Sequence, residues 1–214
     1  MEAIRFAIDF FVHLDAHLGA IIQTYGVWTY AILFVVIFAE TGLVVTPFLP
    51  GDSLLFACGA FAARGDLDAW WLFAALSLAA ILGNTTNYWI GYWVGPGILQ
   101  KERIRFVKKS YLERTHHFYE RHGGKTIVIA RFLPIIRTFA PFVAGLGYMS
   151  YKRFMFFNVT AGIAWVGIFL AAGYFFANLP VVKNNFTLVI VGIIAVSLLV
   201  PAIEFIRHRG GGAR

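Results

Sequence analysis

The sequence predicts an all-α polytopic membrane protein built from inverted repeats: four transmembrane helices, two opposed re-entrant hairpins and an N-terminal amphipathic helix at the interface. Three observations carry this expectation. Hydrophobic residues make up 59% of the 214 and charged residues only 14%, against roughly 45–50% and about 25% in soluble proteins, and mean hydropathy is +0.72. Four uncharged stretches, Leu18–Ala39, Ala69–Leu99, Phe154–Ala177 and Phe186–Ile203, reach or exceed the roughly 17 residues that a span needs at minimum. Two further apolar segments, about 40–64 and about 126–151, are broken by prolines, glycines and charges.

At the N-terminus, Ile4, Phe6, Ile8, Phe10, Phe11 and Leu14 face away from Glu2, Arg5, Asp9, His13 and His17, with Asp15 the exception. That division suits a helix lying in the interface plane. The segment has no basic leader and no small-residue cleavage site, so it is expected to be retained. Cys58 stands alone and excludes an internal disulfide.

The first hairpin holds Glu40, Pro47, Pro50, Gly51 and Asp52; the second holds Arg131, Pro134, Arg137, Pro141 and Gly145. A leg of about 10–12 residues at a rise of 1.5 Å reaches only about half of a 30 Å hydrocarbon core. Phe48-Leu-Pro50 matches Phe132-Leu-Pro134, each is followed by a charge, and each runs on to a small-residue patch, Ala57-Cys-Gly59-Ala60 or Val143-Ala-Gly145. Such paired interrupted segments are the sequence mark of an internal repeat with a binding site at the repeat interface. One domain, 1–214, is therefore expected: a first repeat over 1–99, a basic amphipathic linker over 100–125 and a second repeat over 126–207.

The linker carries Lys101, Arg103, Arg105, Lys108, Lys109, Arg114, Arg121 and Lys125, and the tail carries Arg207, Arg209 and Arg214. The positive-inside rule puts both on the cytoplasmic side and makes a nucleic-acid role unnecessary. The last two spans return the chain to its starting side only if the segment 126–151 does not cross, and both termini are then cytoplasmic. Within the linker, Ser110-Tyr-Leu-Glu113 reads as a capping box opening a helix that stops at Gly123-Gly124.

Chemistry is expected where the charges are. An ionised side chain at the bilayer centre costs about 2.5–3.5 kcal/mol, so such groups persist where they pair or handle something polar. Proline-broken backbone at that depth must be buried in protein or line a wet cavity. The two hairpins should therefore meet inside, bringing Glu40 and Asp52 near Arg131 and Arg137. Arginine offers a planar fork suited to phosphate or carboxylate, and an acid beside it can exchange a proton. The simpler alternative is a pair of structural ion pairs that fix the hairpins together. Asn84, Asn87 and Asn158 are candidate cavity-lining residues; for Asn84 and Asn87, interhelical hydrogen bonds serve equally well. Gly91-x-x-x-Gly95 reads as helix packing, and Trp70 and Trp71 as an interfacial anchor. His116, His117 and His122 lack a second ligand cluster, so no metal site is expected. No phosphate-binding glycine loop, no Ser-His-Asp arrangement and no zinc-protease motif occurs, so neither enzyme activity nor a cofactor is expected.

The blocks Glu40-Thr-Gly…Pro47-Phe-Leu-Pro50-Gly51-Asp52-Ser53 and Ala130-Arg131-Phe-Leu-Pro134-Ile-Ile-Arg137-Thr-Phe-Ala-Pro141-Phe-Val-Ala-Gly145 resemble the signature of the DedA family of bacterial inner-membrane proteins. The likeness continues through Asn158 and Gly173-Tyr-Phe-Phe176 to Ile206-Arg207-His208. It implies two opposed re-entrant hairpins and movement of lipids between leaflets, with undecaprenyl phosphate or a glycerophospholipid as cargo and dependence on the proton-motive force. It also implies that Glu40, Asp52, Arg131 and Arg137 are the essential residues. Relatives often carry Gly-Asp where this chain has Gly83-Asn84, so no third acid of a proton path is carried over. The expected partners are a phosphate-bearing lipid and protons; self-association into a homo-oligomer is left open. A proton-coupled small-ion or drug antiporter and a non-transporting membrane scaffold are the alternatives.

Overall fold

The computed structural model describes residues 14–43, 51–99, 123–131 and 133–176, with isolated positions beyond. The N-terminal amphipathic stretch up to residue 13, the linker helix and its histidines, Pro47, Pro50 and nearly all of the fourth predicted span lie outside the described residues.

Within them the protein is helical and contains no strand. The helices are α1 (Leu14–Tyr25), α2 (Trp28–Gly42), α3 (Gly51–Arg64), α4 (Ala69–Leu99), α5 (Thr126–Ala130), α6 (Pro134–Val143) and α7 (Tyr151–Phe176); a π-helical turn, Ala144–Tyr148, extends α6. Among the described residues two helices are apolar and long enough to cross a membrane, Ala69–Val94 within α4 and Tyr151–Phe176. At 1.5 Å per residue they run about 39 Å each. Both coincide with predicted spans.

The predicted span Leu18–Ala39 is two helices, not one. Gly26 adopts φ +51°, a left-handed conformation that glycine takes without a Cβ penalty and that ends α1. Its N–H donates to the Ile22 carbonyl at 2.9 Å. The break carries no charge and no proline, so hydropathy passes over it. As a result α2, with 15 residues, is about 22 Å long and falls short of a 30 Å core. At 14 residues, α3 is shorter still.

Local sequence explains the other ends. Gly65, at φ +85°, terminates α3. The Asp68 carboxylate caps α4 by accepting the Trp70 and Trp71 N–H groups at 2.9 Å each, the role for which Asp is favoured at a helix start. Pro134 occupies the opening of α6, where its missing donor costs nothing. The aromatic rings of Trp70 and Trp71 are exposed.

Two hydrophobic clusters form the interior. The larger joins Leu18, Leu33, Ile37, Leu55, Phe56, Leu72, Leu76, Trp165 and Leu170 from α1–α4 and α7. The smaller joins Tyr88, Ile127, Ile136, Phe142, Val143 and Phe154 around α5 and α6. Glycines let the backbones meet. A Cβ on Gly59 would strike the Leu170 carbonyl, and one on Gly173 the Phe56 carbonyl, so α3 and α7 touch backbone to backbone. Likewise Gly145 abuts the Tyr88 carbonyl and Gly91 the Phe142 carbonyl, where α6 and its π turn cross α4. Small residues at such crossings are how helices pack closely in lipid.

Candidate functional site

The charged side chains gather where short helices end. Glu40 sits in the last turn of α2, Asp52 in the first turn of α3 and Arg137 in the first turn of α6. The α3 N-terminus favours an acid electrostatically, and the Gly51 N–H donates to Glu40 Oε1 at 3.1 Å. Any side chain at Gly51 would collide with the Glu40 carboxylate. Glycine there lets the carboxylate sit directly against the backbone.

Arg137 bridges both acids. Its Nη1 donates to Asp52 Oδ1 at 3.0 Å and its Nη2 to Glu40 Oε1. Glu40 is sealed, with a side chain 1% exposed, whereas Asp52 at 15% and Arg137 at 11% line the more open edge. The second oxygen of Glu40, Oε2, is buried without a hydrogen-bond partner. Trp165 of α7 completes the group: its indole N–H donates to Asp52 Oδ1 at 2.9 Å, and the Arg137 guanidinium lies 5.0 Å from its ring centroid. That is cation–π distance.

Arg131 comes to the same ring with other partners. It lies 5.8 Å from the same Trp165 ring and is 2% exposed, yet among the described residues no carboxylate pairs with it. Its Nη2 donates to Asn158 Oδ1 at 2.9 Å and, at 3.4 Å, to the Asn158 carbonyl; its Nε has no partner. The alternative of two ion pairs does not form among the described residues: one arginine holds both acids, and the second is held by a carboxamide.

The three asparagines join helices. Asn158 Oδ1 also accepts from Asn84 Nδ2 at 3.0 Å, while Asn158 Nδ2 donates to the Ile81 carbonyl at 3.0 Å and to Thr85 Oγ1 at 3.3 Å. Asn87 Nδ2 donates to the Thr138 carbonyl of α6 at 2.8 Å. Of the two readings open for Asn84 and Asn87, the interhelical hydrogen bonds are the one seen: the asparagines tie helices together beside the charged cluster. The Oδ1 atoms of Asn84 and Asn87 are buried without partners.

Pro141 lies inside α6, and Gly145 forms the close crossing with α4. Sequence reasoning missed Trp165. Its signal was position: Trp28, Trp70, Trp71 and Trp93 are exposed, as interfacial tryptophans are, whereas Trp165 sits mid-helix and is 1% exposed. Among the described residues no three His, Cys, Asp or Glu side chains group as metal ligands.

Comparison with known proteins gives a consistent picture. Residues 49–175 match the model of the VTT domain. Protein DedA of Escherichia coli strain K12 is 52% identical over 216 aligned positions, covering 100% of this chain and 99% of the relative. An uncharacterized membrane protein of Mycobacterium leprae is 47% identical over 79% of this chain and 75% of its own length. Inner membrane protein YqjA of Escherichia coli strain K12 is 37% identical over 71% and 69% respectively. No solved structure matches the chain.

Proposed function

We propose, from the premise that the chain belongs to the DedA family of VTT-domain membrane proteins, that it is a lipid translocase of the bacterial inner membrane. Its cargo is an anionic, phosphate-bearing lipid, undecaprenyl phosphate first and a glycerophospholipid second. The observation that carries this reading is the pair of buried guanidiniums over one indole, of which, among the described residues, only Arg137 meets acids. A buried cation without a counter-charge attracts an anion, and arginine's fork fits phosphate.

Glu40 and Asp52 compete with the headgroup for Arg137. Proton uptake on either weakens its hold, frees the arginine for the phosphate and ties transport to the proton-motive force. The unpartnered Oε2 of Glu40 supports that role, since it is an oxygen able to carry a proton without breaking an existing bond. The sub-span lengths of α2, α3 and α6 support half-depth hairpins. The reciprocal glycine crossings, α3 with α7 and α6 with α4, support two inverted repeats. Basic residues in the linker and tail support cytoplasmic termini.

The test is purified protein in liposomes carrying a fluorescent phosphate-bearing lipid in one leaflet. Exchange is expected for the native protein and is expected to disappear for Arg137→Lys, which keeps the charge and loses the fork. Full activity of the lysine variant refutes planar phosphate recognition. Proton flux driven by cations without lipid movement makes the protein an antiporter instead, and the absence of both activities makes it a scaffold.

A further inference from the structure

The feature that lipid translocation in general does not explain is the neutral partner given to Arg131. Arg131 is 2% exposed, and a lone charge buried among apolar helices is costly. A carboxylate has the same shape as a carboxamide and would turn the Arg131–Asn158 contact into a charge-assisted pair. Instead position 158 offers an amide oxygen, and the next side chain in the network, Asn84, is an amide as well.

The amide at 158 is held in one orientation. Its Nδ2 is committed to the Ile81 carbonyl and Thr85 Oγ1, so its Oδ1 faces Arg131. Asn84 donates to that same oxygen, which fills it and leaves its Nδ2 no reason to turn. One helical turn on, Gly162 leaves room for the guanidinium: a Cβ there would come within 3.2 Å of Arg131 Nη2. The result is a rigid slot that positions the cation without neutralising it, with Nε still unsatisfied.

We propose that Asn158 and Asn84 are specificity-determining positioning residues: a charge-neutral cradle that keeps Arg131 an uncompensated cation and so selects headgroups with net negative charge, a phosphate monoester or anionic phosphodiester, over zwitterionic ones. This rests on the translocase reading and narrows its substrate class. With one of Glu40 and Asp52 protonated, as the translocase reading has it, Arg137 is matched by the other acid, and the affinity for an anion resides in Arg131. Introducing a carboxylate into the cradle fills the vacancy in charge without changing the shape.

The experiment compares native protein with Asn158→Asp and Asn84→Asp. Melting temperature is read with and without inorganic pyrophosphate as a soluble probe. In liposomes, exchange rates are read separately for a labelled polyprenyl monophosphate, a labelled anionic phosphodiester lipid and a labelled zwitterionic phospholipid. For Asn158→Asp the melting temperature should hold or rise, the pyrophosphate-induced shift should vanish, and exchange of both anionic lipids should fall at least tenfold relative to the zwitterionic one. Asn84→Asp should show the same change in smaller degree, and it serves as the readout if Asn158→Asp does not fold. A residue that merely holds helices together would move stability and leave the anionic-to-zwitterionic ratio alone. An unchanged ratio together with a retained pyrophosphate shift overturns the proposal. If native protein exchanges no lipid yet shows the shift and Asn158→Asp abolishes it, the translocase reading fails while the cradle stands.

Discussion

Arg131, just after α5, and Arg137, in the first turn of α6, lie against one indole and have opposite surroundings. Arg137 spans two acids delivered by α2 and α3 and keeps some access to solvent. Arg131 is sealed and meets only amide and carbonyl oxygens among the described residues. The first arrangement ties α6 to α2 and α3, since the bridge runs from 137 to 40 and 52. The second leaves a charge that no carboxylate among the described residues meets. The difference between the two arginines lies in the partners.

The largest expected effect separates the two directly. Arg137→Ala strands the sealed Glu40 carboxylate, and removing one member of a buried ion pair costs about 3–5 kcal/mol. Arg131→Ala strands no carboxylate among the described residues, because Asn158 Oδ1 retains Asn84. Thermal unfolding in detergent should therefore drop markedly for Arg137→Ala and little for Arg131→Ala, while both lose lipid exchange. Equal losses of stability would mean that Arg131 has a counter-charge outside the described residues.

A second substitution tests the frame that holds both arginines. Gly173→Ala pushes a Cβ into the Phe56 carbonyl and should cost about 3 kcal/mol, the upper part of the usual overpacking range. Melting temperature should fall and exchange should weaken for every lipid alike, with headgroup preference unchanged. A selective loss for one headgroup would place that crossing nearer the site than the geometry has it.

The smallest effect addresses the shared indole. Trp165→Phe keeps a ring face for both guanidiniums but removes the N–H donor to Asp52, a hydrogen bond to a charged group that contributes about 1.5 kcal/mol. The loss should fall on the Asp52–Arg137 side. A double-mutant cycle with Asp52→Asn should show coupling, whereas one with Asn158→Ala should show none.

Much of this was legible in the chain. Glu40, Asp52 and Arg137 stood out because charge and proline inside apolar sequence are rare. The long helices α4 and α7 followed from uninterrupted hydropathy. The Gly26 break was hidden because glycine is common in membrane helices and only its backbone angle ends the helix. The partner of Arg131 was hidden for a related reason: an asparagine in an apolar helix gives no charge signal, and Asn158 is distant in sequence from both residues its Oδ1 joins.

The sequence by itself determined that this is a membrane protein of apolar helices, and which ionisable groups must share an interior, because hydrophobicity and the cost of burying charge depend on residue type. Tertiary structure alone decided which arginine takes the acids and which is left with an amide. That choice depends on helix crossings set by Gly59, Gly91, Gly145 and Gly173, where a few ångströms of approach separate an ion pair from an isolated charge.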